Sequence, residues 1–263
     1  MAINVNNVYR TVLLILNQEQ RGYITPDEFN KTATQVQLDI FERYFEDLNQ
    51  QLRVPQADFD YSNRQTDIDD KIEKFKCIGS CPPVSVGVQP FSLPIVDDLT
   101  GATVVYDDAP SAGQFAFYRL GTVTYTVPTN PPMPPIKPVE IQRLQRVEFY
   151  NIDKSDLTAP SENFPVYLYE SGKLRVKPIS ITEGIEASFL RKPKNVVWNF
   201  DIPAGSVTYV YNPSTSVDFE LNSSEQTNVI TRILLYAGIV IKDPTIIQVA
   251  AQQIQQEEQN AKS

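Results

Sequence analysis

Apolar residues recur at helical spacing at both ends of this chain and at strand spacing between them. Val5, Val8, Val12 and Ile15 mark one face of a helix over residues 5–19. A longer helix is expected over 26–52, with Phe29, Ala33, Val36, Ile40, Tyr44, Leu48 and Leu52 in one stripe and Leu38, Phe41 and Phe45 in a second beside it. That face is wider than one antiparallel neighbour requires. It is either buried among three helices of the same chain or shared with a neighbouring subunit. A more polar third helix is expected over 62–76, with Ile68, Ile72 and Phe75 as its apolar stripe.

After Cys81-Pro82-Pro83 the period changes to two. Alternating or β-branched runs at 84–88, 102–106, 114–119, 122–127, 139–150, 166–170, 173–177, 185–190, 207–211 and 217–221 predict short strands of an all-β domain. Ser171-Gly172 is the turn of the clearest hairpin, Val166 to Lys177. The segment from Thr126 to Pro138 holds six prolines in thirteen residues. Such a segment cannot join a central strand and should run as a stiff extended arm, either a structural or contact arm or a PxxP ligand. Helix returns at Asn222-Ser-Ser-Glu225 and runs to about Ile241. Asp243 and Pro244 then break it and cap a last helix, with Ile247, Ala250, Ala251 and Ile254 on one side among glutamines. A thin apolar stripe of this kind suits a groove on another chain, so these four residues are candidate contacts with another subunit or partner protein, with Leu38, Phe41 and Phe45.

These elements predict an α+β fold: a helical bundle formed by the N- and C-terminal helices with an inserted antiparallel β-domain. The expected divisions are a helical module at 1–76, a β-rich insertion at 77–221, and helices with a docking arm at 222–263 that pack back on the module.

Residues 17–28, Asn-Gln-Glu-Gln-Arg-Gly-Tyr-Ile-Thr-Pro-Asp-Glu, count as a twelve-residue calcium loop with Gly22 sixth and Glu28 twelfth. Arg21, however, puts a cation at the fifth position, where a calcium loop needs an oxygen ligand. A helix–turn–helix corner accounts for every residue: Gly22 ends one helix, and Thr25 with Glu28 forms a capping box around Pro26. No calcium binding is expected.

Composition narrows the chemistry further. The 263 residues carry a net charge of −9 and no histidine. Acidic balance argues against gripping DNA or an anionic membrane. Without histidine there is no Ser-His or Cys-His pair, and no phosphate-cradling glycine motif is present. Asp69-Asp70 and Asp97-Asp98 are expected in a charged helix face and a loop. Cys77 and Cys81 lack the further ligands a zinc site needs and are expected to be ordinary thiols. No enzymatic activity, cofactor or metal is expected. The start of the chain lacks the features of a secretory leader, and Val229–Ile241 is too short for a membrane span and contains Arg232. A soluble protein made in the cytoplasm is expected.

Several stretches resemble a virion protein of short-tailed phages, notably the crAss-like phages and their marine relatives. They are the opening Met1-Ala-Ile-Asn-Val-Asn-Asn-Val-Tyr9, the 17–30 corner with Ala33 to Phe45, and the Val166-Tyr-Leu-Tyr-Glu-Ser-Gly-Lys173 hairpin. Phe189-Leu-Arg-Lys-Pro-Lys-Asn-Val-Val-Trp198 and Ala237-Gly-Ile-Val-Ile-Lys-Asp-Pro244 follow in the same order. The resemblance covers most of the chain and places it at the head-to-tail junction, as a connector ring or adaptor protein beneath the portal. It implies a homo-oligomeric ring of about twelve copies that contacts the portal and adjacent tail or ring proteins, with DNA passing through the lumen unbound. An auxiliary capsid or other tail structural protein, or a non-viral protein-binding module, is the alternative.

Overall fold

Asn4 starts the first helix. Its Oδ1 accepts the Asn7 N–H at 3.1 Å, its carbonyl accepts the Val8 N–H at 3.2 Å, and Asp218 Oδ1 takes the Val5 N–H at 2.8 Å. The computed structural model describes residues 2–18, 23–51, 59–85, 88–106, 113–126, 138–203 and 209–241, and the helical residues 248, 251–252 and 254–256. It is a mixed α+β chain with several largely antiparallel sheets.

One compact unit is made of residues 1–74 and 193–263. Helix α1 (Val5–Gln18) buries Val5, Val8, Tyr9, Val12 and Leu16. Leu16 takes the place expected of Ile15, which is only half-buried. Helix α2 (Pro26–Gln51) begins at the expected capping box. Glu28 Oε2 accepts from the Thr25 N–H at 2.9 Å and from its hydroxyl at 2.7 Å, and Thr25 Oγ1 accepts the Glu28 N–H at 3.3 Å. Helix α3 (Phe59–Glu73) packs on α2, and α5 (Gln226–Ile241), through Val229, Ile233 and Ala237, lies against both α1 and α2. The Tyr236 hydroxyl donates to Asp39 Oδ2 at 2.9 Å, tying α5 to α2. Asn222 caps the 3₁₀ turn that opens α5, with its side chain accepting the Ser224 N–H.

Segment 193–221 belongs to this unit, whereas the sequence places it in the β insertion. Its physical reason is a polar ladder on α2. Asn30 accepts the Trp198 N–H at 2.7 Å and donates to the Trp198 carbonyl at 3.2 Å. Thr34 Oγ1 accepts the Val196 N–H at 3.1 Å, and Gln37 Nε2 donates to the Lys194 carbonyl at 2.7 Å. Three side chains spaced four and three apart on a helix thus serve alternate residues of an extended chain, as a sheet neighbour would. Gln37 Oε1 also accepts the Glu220 N–H at 2.8 Å, which fixes β14 (Phe219–Asn222) and with it β1 (Ala2–Ile3), its antiparallel partner.

The second unit spans residues 75–192. One sheet has the order β3-β4-β10-β9-β8, from Pro83–Ser85, Val88–Ser92, Lys173–Lys177, Val166–Glu170 and Gln142–Arg143. The other has the order β2-β11-β6-β5, from Lys76–Ser80, Ile185–Arg191, Gln114–Tyr125 and Thr103–Val105, with β7 (Val139–Glu140) also on β6. Phe91, Tyr167, Leu174 and Val176 of the first sheet share one core with Val123, Tyr125, Ile185 and Ala187 of the second. The domain is not wholly antiparallel as expected, because β5 pairs with β6 and β8 with β9 in parallel. At the hairpin turn Ser171 and Gly172 have φ of 51° and 68°, the left-handed pair that a two-residue turn requires.

Three local expectations change. The third helix stops at Glu73 rather than residue 76, because Phe75 turns into the core and β2 starts at Lys76. The runs at 114–119 and 122–127 form one strand, because Gly121 leaves room for Ser188 at a bulge of β11. A Cβ there would meet Ser188 Oγ at 2.6 Å, and that hydroxyl accepts from the Thr122 N–H at 2.8 Å. The expected strand 139–150 yields two short strands and then helix α4 (Arg146–Asn151), started where Glu148 Oε2 accepts the Gln145 N–H at 3.2 Å.

Candidate functional site

Trp198 is set by the ladder on α2, and its indole N–H donates to Asn6 Oδ1 of α1 at 3.2 Å. Its ring meets Tyr9 at 4.3 Å between centroids and Tyr211 at 6.1 Å, nearly parallel to the latter. Phe200 joins at 5.6 Å from Trp198 and 4.3 Å from Tyr209. β12 (Phe200–Asp201) and β13 (Val210–Tyr211) pair antiparallel and carry Phe200 and Tyr211. Tyr9, Trp198, Tyr209 and Tyr211, together with Tyr23 and Arg10, line an open cleft of about 210 Å³. Tyr9 and Trp198 form its buried floor, while Tyr23 and Tyr209, about half exposed, form its walls. Burial, the hydrogen bond with Tyr23, and the neighbouring Tyr23 and Tyr209 push the Tyr9 phenol far above its ordinary value, so it remains a neutral hydroxyl. Side chains from three separated parts of the sequence meet here, and sequence periodicity carries no signal of it beyond Trp198 and the nearby tyrosines.

A second feature lies on the β unit. Leu157, Phe164 and Ile179 expose 96%, 79% and 79% of their surface, and Val147 on α4 is also exposed. Nearby, Lys177 donates to the Phe149 carbonyl at 2.8 Å, pairs with Asp153 and lies over the Phe149 ring, so this end of the unit is well tied.

Of the expected contact residues, Phe41 is a correction. It is completely buried within the chain, its ring 5.0 Å from that of Phe45, so it serves the chain's own core. Leu38 and Phe45 are half-buried. Ile247 and Ala250 lie outside the described residues, as do Asp243, Pro244 and the side chains of Leu48 and Leu52. Ala251 is half-buried, and Ile254 is already buried at 9% exposure. Residues 19–22 of the corner and 127–137 of the proline-rich segment are also outside them.

The remaining candidate chemistry has local roles. The Asp97 carboxylate accepts from the Leu99 N–H at 3.3 Å and from the Thr100 hydroxyl, closing a turn, and Asp98 Oδ2 accepts from the Ser80 hydroxyl at 3.2 Å. Cys77 and Cys81 are buried and not joined in a disulfide. Burial, with Asp98 and Glu186 adding, pushes the Cys81 thiol up to about 12. No helix among the described residues is long and apolar enough to cross a membrane. No known family model matches the chain, and no curated protein is similar to it.

Proposed function

We propose that this chain is a structural virion protein of a tailed phage, a head-to-tail connector ring subunit that docks beneath the portal and forms part of the DNA channel. In this proposal the helices of the two chain ends form one bundle around the β insertion, for which the packing of α5 on α1 and α2 is the support. About twelve copies form the ring, and its partners are the portal and adjacent tail or ring proteins. The observation that carries the proposal is the combination of an aromatic cleft and bare apolar side chains, Leu157, Phe164 and Ile179, on a chain that carries −9. Such side chains suit contacts between proteins, where aromatic residues concentrate and buried charge is scarce. Acidic charge facing a lumen repels passing DNA from the wall. The protein is not an enzyme, is made in the host cytoplasm and resides in the virion. Mass photometry and two-dimensional cryo-EM averages of the purified protein with its portal test this. A twelvefold ring is expected, and a monomer that ignores the portal and decorates capsids overturns it.

A further inference from the structure

We propose that the outer edge of β8 binds an extended segment of a separate partner protein as an added strand, with an acidic side chain against Arg143 and a basic one against Glu140. Only strands of the β unit are involved, so the site is independent of the ring. Residues 139–144 change neighbours as they run. Val139 and Glu140 pair with Tyr125 and Thr124 of β6, and the Ile141 N–H still reaches the Val123 carbonyl at 2.8 Å. The next bonds go to β9 instead. The Gln142 N–H donates to the Pro165 carbonyl at 3.1 Å, and the Leu144 N–H to the Tyr167 carbonyl at 2.9 Å. Backbone groups alternate sides along a strand, so the N–H and carbonyl of Arg143 point away from β9. No main-chain group among the described residues pairs with them. An open strand edge of this kind is a template for another chain.

A cleft of about 440 Å³ opens where the strands part, lined by Thr122 and Val123 of β6, by Glu140, Ile141 and Arg143, and by the buried Tyr167. A second cleft, of about 560 Å³, adjoins it at Arg143. The Arg143 guanidinium lies 5.7 Å from the centre of the Tyr169 ring, a contact that positions its face and leaves its N–H edge to meet a carboxylate. Arg143 and Glu140 are both exposed, and neither forms an ion pair among the described residues. Burial raises the Tyr167 phenol, Arg143 opposes the rise and Glu140 adds to it, so both charges act beside the same ring. The chemistry argues against other occupants. Val123 and Ile141, the aliphatic lining, are only 1% and 2% exposed, so an apolar small molecule finds little surface. A nucleic-acid strand needs a basic track, and here Glu140 stands beside the one cation of the lining. A peptide backbone with one acid and one base matches the open edge and both charges.

The probe is a library of N-acetylated, C-amidated heptapeptides randomised one position at a time, titrated into the full isotope-labelled chain and read by its backbone amide resonances. The library should select an acidic residue at one position and a basic residue at another. The selected peptide should shift the Arg143 amide saturably. An N-methyl scan of that peptide should find an amide whose methylation weakens binding about tenfold or more. Arg143→Glu should turn the preference for acid into one for base, and Glu140→Lys the preference for base into one for acid. Both side chains are exposed, so circular dichroism should be unchanged. No saturation by any pool up to millimolar peptide, or a selection that ignores both charge reversals, overturns the proposal. Binding that survives methylation at every amide overturns strand addition. A shift of the Arg143 amide on concentrating the chain alone overturns the assignment to a separate protein and gives the edge to a second copy. Mass photometry reads the ring separately, so failure of the peptides leaves the ring standing and failure of the ring leaves the edge.

Discussion

Gln37 shows how much one side chain decides. Its amide is wholly buried and serves two backbone groups far apart in sequence, the Lys194 carbonyl and the Glu220 N–H. Gln37→Ala strands both, and each buried unsatisfied group costs about 1–3 kcal/mol. Urea denaturation should show a loss of about 3 kcal/mol, against less than about 0.5 kcal/mol for the exposed Gln35→Ala. A loss for Gln37→Ala no larger than that of Gln35→Ala contradicts the ladder. Cys81 has a pH signature. Its thiol titrates near 9.0 when free of its surroundings and near 12 in the fold. The folded value is the higher one, so the contribution is whole below pH 9 and is lost as pH rises toward 12. The stability gap between the native chain and Cys81→Ala should therefore narrow in urea melts between pH 9 and 11.5. A gap constant over that range contradicts burial as the cause.

Among the elements, α2 and β6 carry the sharpest consequences. The second stripe of α2 divides by burial: Phe41 is core, whereas Leu38 and Phe45 keep part of their surface. Phe41→Ala should lower stability by about 3–5 kcal/mol in thermal or urea melts. On the ring proposal, Leu38→Ser should keep the fold and reduce assembly. A Phe41→Ala chain that melts normally contradicts its burial. In β6, Gly121 leaves the space that Ser188 fills. Gly121→Ala displaces that hydroxyl from the Thr122 N–H and should cost about 1–3 kcal/mol. Ser188→Gly in the same chain should recover part of the loss in a double-mutant cycle, because the two sites share one contact. Strict additivity of the two substitutions speaks against that contact.

For the whole molecule, the exposed apolar side chains of the β unit provide a test independent of the helices. Leu157→Asp and Phe164→Asp remove no internal packing, since both side chains project from the surface. Melting temperatures should be unchanged while mass photometry shows assembly reduced at least tenfold, a loss of about 1.4 kcal/mol or more per contact. Unimpaired assembly of both variants removes this face from the subunit contacts.

Much was legible from periodicity and local chemistry alone. The α+β class, the capped start of α2 at Thr25 and Glu28, and the β9–β10 hairpin with its Ser171-Gly172 turn all follow from interactions within a few residues. Such interactions leave their pattern in the sequence because the partners are neighbours along the chain. Tertiary structure decided the rest. It buried Phe41, drew residues 194–198 and Glu220 onto α2, ran β6 through Gly121 and gathered Tyr9, Tyr23, Trp198 and Tyr209 into one cleft. Asn30, Thr34 and Gln37 read along the sequence as ordinary polar positions of a helix. Only the fold brings the backbone of residues 194–198 to them, because a buried amide or carbonyl takes whichever partner the packing sets beside it, however distant in sequence.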